Sequence, residues 1–287
     1  MVDRRLIVTV ILAGIGADQT NINKNPPLYP NSEFEYIPIP EKTRKTNEKE
    51  TLGSWALRYP QNGSGETAAD YIGDPSNITQ DPEENQTLST ISTEEEMRSW
   101  PVHHDPNFET LTYGEHRGAG GGMSYVQKLE ELQEGDVVAF YTGLKTRARP
   151  GTPRYLIGYM LVDSVTSTEG MTSEEKLDVI EQHPQNAHSK RAVNGELFYD
   201  RYGSESKYVV FVDGKQPGGL FERDPVRITE RQVATEREVE YITNNSFFGR
   251  FNSLSKTERR ATSRKPAIAL DISGEEFINE IGVPGNR

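Results

Sequence analysis

The sequence predicts an α+β fold: a central mixed or antiparallel sheet with short flanking helices. Three observations point there. Four runs are rich in β-branched and aromatic residues, at Leu6–Leu12, Asp136–Tyr141, Tyr155–Val165 and Tyr208–Val212. Three Ser/Thr-x-x-Glu/Gln signatures mark short helices between and after them. Helix and strand signals do not alternate regularly, as a doubly wound sheet would require, and no internal repeat is present.

The first run, Leu6-Ile7-Val8-Thr9-Val10-Ile11-Leu12, ends at Gly14 and Gly16. With Met1–Arg5 as a basic head it could pass for a signal peptide, but it is shorter than the roughly 20 residues that span a bilayer. A buried strand is the better reading. Asn21–Pro30 carries three Asn and three Pro and reads as loop. Phe34–Pro40 alternates large apolar residues with polar residues or Pro, which suits an edge strand or an extended segment. Residues 41–100 are polar, with six acids and no base between Asp81 and Glu96. The stretch is expected to be a solvated or loosely ordered excursion, with residues 81–96 a peripheral acidic insertion.

Ser124 and Gln127 form a capping box ahead of Val126, Leu129 and Leu132 on one helical face, closed by Gly135. Asp136–Tyr141 follows as a strand. Arg154–Val165 is almost continuously apolar, which predicts burial on both faces or on one face of a small closed barrel. Thr172 with Glu175 opens a helix through Ile180, and Tyr208–Val212 is a strand ending at the turn signal Asp213-Gly214. Ser273 with Glu276 opens the last helix, whose apolar face is Phe277, Ile278 and Ile281. The four apolar strands are expected to share one sheet, since none could stand exposed on both faces.

Of the residues, 33% are hydrophobic and 26% charged, with a net charge of −12. Mean hydropathy is −0.72, yet the apolar residues are grouped, so wholesale disorder is excluded. There are 20 Arg and 12 Lys. An acidic, lysine-poor surface suits a cytoplasm rich in salt, where charge repulsion is screened. A cytoplasmic protein without a membrane partner is expected. The absence of Cys excludes disulfides, Cys-ligated zinc, iron–sulfur clusters and thiol nucleophiles.

Gly118–Gly122 lacks the Lys-Ser/Thr of a phosphate loop and the third glycine of a dinucleotide fingerprint, so it reads as a loop. His103-His104-Asp105 with His116 offers metal-type ligands, but adjacent side chains on an extended segment point opposite ways. No metal site is expected from spacing. Asn186-Ala187-His188-Ser189-Lys190-Arg191, in a loop between helix and strand, puts an amide, an imidazole and two cations within six residues. Such a group can bind phosphate and hold a general base, or it can be a solvated turn. Between Arg250 and Lys265 there are six bases and one acid, beside Phe247, Phe248 and Phe251. Arg250, Arg259, Arg260 and Arg264 are candidate nucleic-acid contacts.

Read in order, Gly14–Asp18, Phe34–Glu41, Asp105–Gly114, Gly135–Leu144, Ile157-Gly158-Tyr159, Asn186-Ala187-His188 and Lys190-Arg191 resemble the nucleotide modification associated domain 3 family. The resemblance spans about residues 5–230, giving a domain over 1–230 and a C-terminal extension over 231–287 with the basic-aromatic segment and terminal helix. It implies a role in modifying DNA bases or nucleotides, as an enzyme or as an accessory. The strand pair around Gly135-Asp136 and Ile157–Tyr159 is also similar to base-reading barrels of the PUA and ASCH type, a likeness of architecture alone.

Two functions follow. One is an enzyme acting on a nucleobase, in DNA or in a nucleotide precursor, within a pocket that takes the base out of its stack. There Asp18, Asp105 and His188 would move protons. Tyr113, Tyr141 and Tyr159 would face the base, Asn186 would read its edge, and Lys190 with Arg191 would grip phosphate. The other is a reader that binds a modified base and assists partner modification enzymes. DNA or a nucleotide is the partner in both, and no cofactor is specified. Convergence of Asp105 and His188 on one cavity with the tyrosines would favour the enzyme.

Overall fold

The computed structural model describes residues 10–17, 21–79, 91–116, 123–146, 152–194, 208–234, 237–241, 268–270 and 272–282. In chain order the first strands are β1 (Val10–Gly14), β2 (Pro27–Leu28), β3 (Ile39–Pro40), β4 (Val102–His103) and β5 (Thr112–His116). They are followed by β6 (Val137–Gly143), β7 (Lys145–Thr146), β8 (Arg154–Ser167) and β9 (Val209–Leu220). The last are β10 (Val226–Arg227), β11 (Glu230–Ala234), β12 (Arg237–Tyr241) and β13 (Ile268–Leu270). The helices are α1 (Ala68–Ile72), α2 (Glu94–Arg98), α3 (Met123–Glu130), α4 (Ser173–Gln182), α5 (Ala187–Lys190) and α6 (Gly274–Ile281).

Seven strands make one mixed sheet in the order β13-β1-β6-β8-β9-β5, with β10 also on β8. Among the described residues the pairings run as an open path rather than a ring. The fold is α+β, and the described parts of the four apolar runs, Val10–Leu12 of the first among them, lie side by side as β1, β6, β8 and β9. Within this sheet, among the described residues, β1 and β6 are the parallel pair, Val10 facing Val137 and Gly14 facing Tyr141. All seven residues of β6 are buried, so the sheet is covered on both faces there, which its nearly continuous apolar run requires. Beyond β1, strand β13 pairs antiparallel with Val10–Leu12. The short α6 buries Phe277 and Ile281 completely in the same core. Two turns of helix are marginal alone, so this docking is what holds them.

Several local expectations are corrected. Helix α3 begins at Met123, so Ser124 lies inside it, although Val126, Leu129 and Leu132 are buried as its apolar face requires. Strand β9 does not stop at Asp213-Gly214 but runs on to Leu220, absorbing the irregularity as two register shifts against β8. Asn186–Arg191 is no loop: it is the single helical turn α5 with its cap. Phe34–Pro40 is extended as expected, ends in β3, and buries Phe34, Glu35, Tyr36 and Ile37. Residues 1–9, the Gly118–Gly122 loop and the basic segment from Arg250 to Lys265 lie outside the described residues.

The largest correction concerns residues 41–100. Within them Leu52, Leu57, Ala68, Ala69, Ile72, Ile78, Ile91, Met97 and Trp100 build a second apolar cluster, joined by Ala17, Ile22, Ile37 and Val102. Ala68, Ala69 and Ile72 keep a helical spacing, but only over one turn, and Leu52 and Ile91 stand singly among polar neighbours, so no sustained period reveals the cluster. Capping boxes fix the two short helices: Thr67 with Asp70 opens α1, and Thr93 with Glu96 opens α2. Glu94, Glu95 and Glu96 fill the first turn of α2, where the helix dipole favours acids. The last part of the acidic stretch is therefore a helix start seated by Met97; residues 80–90 lie outside the described residues. No helix among the described residues is long and apolar enough to cross a membrane.

The first capping box has a pH signature. Arg98 Nη2 lies 2.6 Å from Asp70 Oδ1, and the Thr67 and Glu66 N–H groups donate to its other oxygen. The Arg98 hydrogen bond first, then these amides, hold the carboxyl down to about 2. A folded-state value below the unfolded one stabilises above the unfolded value and is lost as pH falls through the folded one. Asp70→Asn is expected to cost about 1 kcal/mol at pH 7. The gap to wild type should shrink between about pH 4 and 2 in urea titrations.

Candidate active site

Sequence-distant segments meet where the second cluster abuts the sheet. β3 pairs antiparallel with β4, Ile39 opposite His103, and the pairing carries Glu41 to that histidine. The Glu41 backbone is pinned twice: its N–H donates to Pro101 O at 2.8 Å, and Trp100 Nε1 donates to its carbonyl at 2.7 Å. Because alternate residues of an extended segment share a face, His103 and Asp105 point one way. His104 points the other, edge-on to Trp55 at 4.7 Å between ring centroids.

After Asp105 the chain turns tightly. Asn107 Oδ1 accepts from the N–H groups of Glu109 and Thr110, and Asn107 exchanges both backbone bonds with Thr112. β5 therefore returns beneath the Asp105 carboxylate, which accepts from Gly114 N–H at 3.1 and 3.3 Å. Helix α5 packs on the same strand. Asn186 is its N-cap, Oδ1 accepting from His188 N–H at 2.9 Å. A Cβ on Gly114 would stand 2.8 Å from both Asn186 Oδ1 and His188 Cδ2, so the missing side chain is what admits the helix.

The resulting cluster is continuous. Arg191 Nε and Nη2 donate to Glu41 Oε1 at 2.9 and 2.6 Å, and Glu41 Oε2 meets His103 Nδ1 at 3.0 Å. His188 Nε2 lies 3.4 Å from Asp105 Oδ2, and His103 Nε2 lies 3.9 Å from the same oxygen. Arg191 also faces both imidazoles, at 3.5 Å from His188 Nδ1 and 3.3 Å from His103 Nδ1. All five residues are buried. His103, Asp105, His188 and Arg191 border a cavity of about 160 Å³, completed by Tyr113, Glu115, His116, Lys42, Ile39 and the Gly14–Gly16 end of β1.

Burial sets the electrostatics. It pushes the Asp105 carboxyl well above its ordinary range, with Glu115 adding to the effect. It holds His188 well below the usual imidazole value, helped by the Arg191 guanidinium, and it lowers His103 as well. For Glu41 burial works upward, but Arg191 and His103 more than offset it, and the carboxylate stays ionised. The site thus holds neutral imidazoles beside one buried ion pair. Such a set can relay a proton to a bound group, or its nitrogen and oxygen atoms can hold a cation.

The sequence profile of nucleotide modification associated domain 3 matches residues 9–280. The chain belongs to that family. No curated protein and no solved structure matches it. The match reaches past residue 230, in keeping with β13 and α6 packing into the main core, and the Glu41–His103–Asp105–His188–Arg191 cluster lies wholly inside it.

Of the residues predicted to line one cavity, this member of the nucleotide modification associated domain 3 family brings Asp105, Tyr113, His188 and Arg191 to it. Asn186 adjoins them as the cap of α5, its Nδ2 buried without a hydrogen-bond partner. Lys190 turns away to Glu48 at 2.7 Å. Tyr141 and Tyr159 are packed in the main core; Tyr159 Oη is buried without a partner, and burial pushes it up to about 12. Asp18, Arg250, Arg259, Arg260 and Arg264 lie outside the described residues. Sequence reasoning passed over Glu41, and it weighed His103 and His116 only together with His104. The signal was present in part, since Glu41 closes the Phe34–Glu41 motif.

Proposed function

We propose that the chain is an enzyme of nucleobase modification, acting on DNA or a nucleotide precursor, with the cavity beside Asp105 and His188 as its reaction centre. The observation that carries this is convergence. Asp105, His188, His103, His116 and Glu115 come from separate stretches of chain to one small cavity, within a family named for nucleotide modification. At about 160 Å³ it is smaller than the roughly 300 Å³ where drug-sized pockets begin. That suits a single ring or small group inserted from a larger substrate, as base chemistry requires. Of the three predicted tyrosines Tyr113 borders the cavity, beside the imidazoles of His103, His116 and His188. Arg191 serves as a positioning residue, since its guanidinium is engaged with Glu41.

Nucleoside mass spectrometry of host DNA tests it. Deleting the gene, or replacing it by Asp105→Asn or His188→Gln forms that melt like wild type, should abolish one modified nucleoside. A profile unchanged by deletion would sink the proposal. Loss on deletion with retention in both variants would make the protein a reader.

Arg250, Arg259, Arg260 and Arg264 are proposed to bind DNA phosphates. Changing all four to Ser should weaken oligonucleotide binding regardless of sequence. The slope of log K against log salt should flatten by about 0.9 for each duplex phosphate that the variant no longer neutralises. An unchanged slope would place the phosphate-binding cations elsewhere.

A further inference from the structure

We propose that His103, Asp105 and His188 form the binding site of one divalent first-row transition-metal ion. The proposal rests on the reading of this cavity as the reaction centre and names the ion that the centre would hold.

Three features carry it. First, one donor atom from each residue lies within 4.8 Å of the others, and Asp105 Oδ2 is 3.4 Å from His188 Nε2 and 3.9 Å from His103 Nε2. An ion about 2.0–2.2 Å from each nitrogen and oxygen needs donors spaced close to that. Second, His103 Nδ1 meets the buried Glu41 carboxylate at 3.0 Å. A carboxylate behind a histidine fixes the proton on the inner nitrogen and turns the other outward as a ligand. Third, the three donors border the cavity, so further coordination positions would face water or substrate there. Glu115 and His116 form a second donor group that shares His188, adding reserve ligands.

Charge is compatible. Arg191, which faces both imidazoles, is matched by Glu41, leaving Asp105 and Glu115 against Lys42 around the cavity. Two imidazoles and one carboxylate suit iron, manganese, cobalt or zinc; magnesium, which prefers oxygen, should bind far more weakly. The spacing along the chain gave no metal motif because the third donor comes from α5, 83 residues after Asp105.

Chelator-stripped protein is titrated separately with Co²⁺, Mn²⁺, Zn²⁺ and Mg²⁺ by calorimetry, and the Co²⁺ form is followed by visible absorption and proton NMR. One transition-metal ion per chain is expected, with hyperfine-shifted imidazole N–H signals. Binding should be lost in His103→Gln and His188→Gln, retained in His104→Gln and His183→Gln, and weakened about 10- to 100-fold in Glu41→Gln. Absence of stoichiometric binding overturns the proposal, as does binding that persists in His103→Gln and His188→Gln. Should those variants misfold, the wild-type NMR decides, and a Co²⁺ adduct without shifted imidazole signals overturns it. The two readings fail separately. An unaltered nucleoside profile on deletion leaves the ion in place, and a chain that binds no ion leaves a nucleoside lost on deletion standing.

Discussion

Replacing Arg191 by Met is expected to destabilise the protein by about 3–5 kcal/mol, read from the urea midpoint at constant slope. A surface cation gripping phosphate would lose well under 1 kcal/mol on the same change. The difference lies in burial. The Arg191 and Glu41 side chains are 2% and 1% exposed, and both guanidinium hydrogen bonds fall on one carboxylate oxygen while the other oxygen holds His103. Removing Arg191 leaves a buried carboxylate with no matching charge. The double variant Glu41→Leu/Arg191→Met should recover much of the loss, since apolar residues can replace a buried pair at little net cost. It should still fail in the nucleoside assay, because nothing would then orient His103. A single variant as stable as wild type would show that the pair does not hold the site together.

The main sheet was legible in the sequence and the second cluster was not, for one physical reason. Val10–Leu12, Val137–Tyr141 and Tyr155–Met160 are buried on both faces, so consecutive residues are apolar and the signal is dense. Leu52, Leu57 and Trp100 each bury one side chain from an irregular backbone and Met97 does so from the one-turn helix α2, and the stretch between them reads as polar. The cluster around Asp105 shows the same limit. Asp105 and His188 stand out by residue type, but Glu41 and His103 become partners only through the antiparallel register of β3 and β4. That register is set by two-residue strands with no alternation to read. Lys190 and Arg191 are adjacent in sequence and equally basic. One ends at Glu48 and the other, more deeply buried, at Glu41, because one helical turn points them in different directions.

Gly114→Ala is expected to leave the fold in place and abolish function at the site. The added methyl would lie 2.8 Å from Asn186 Oδ1, 2.8 Å from His188 Cδ2 and 3.1 Å from Asn186 Nδ2. Carbon neighbours are comfortable at about 3.5–4.0 Å, so α5 must retreat by several tenths of an ångström or more. Asn186 has little freedom to yield alone, because its Oδ1 caps His188 N–H and its side chain is buried. The retreat carries His188 off Asp105, where the gap is already 3.4 Å. Overpacking of this size costs about 1–3 kcal/mol. β5 pairs with β9 among the described residues and keeps that ladder, so the variant should melt a few degrees low with wild-type cooperativity. Adding Asn186→Ser, which can still cap α5 with a shorter side chain, should return part of the missing stability. It should return less of the function, since His188 Cδ2 still meets the methyl. A Gly114→Ala strain whose DNA nucleosides match wild type would show that the spacing of His188 from Asp105 plays no part in the reaction.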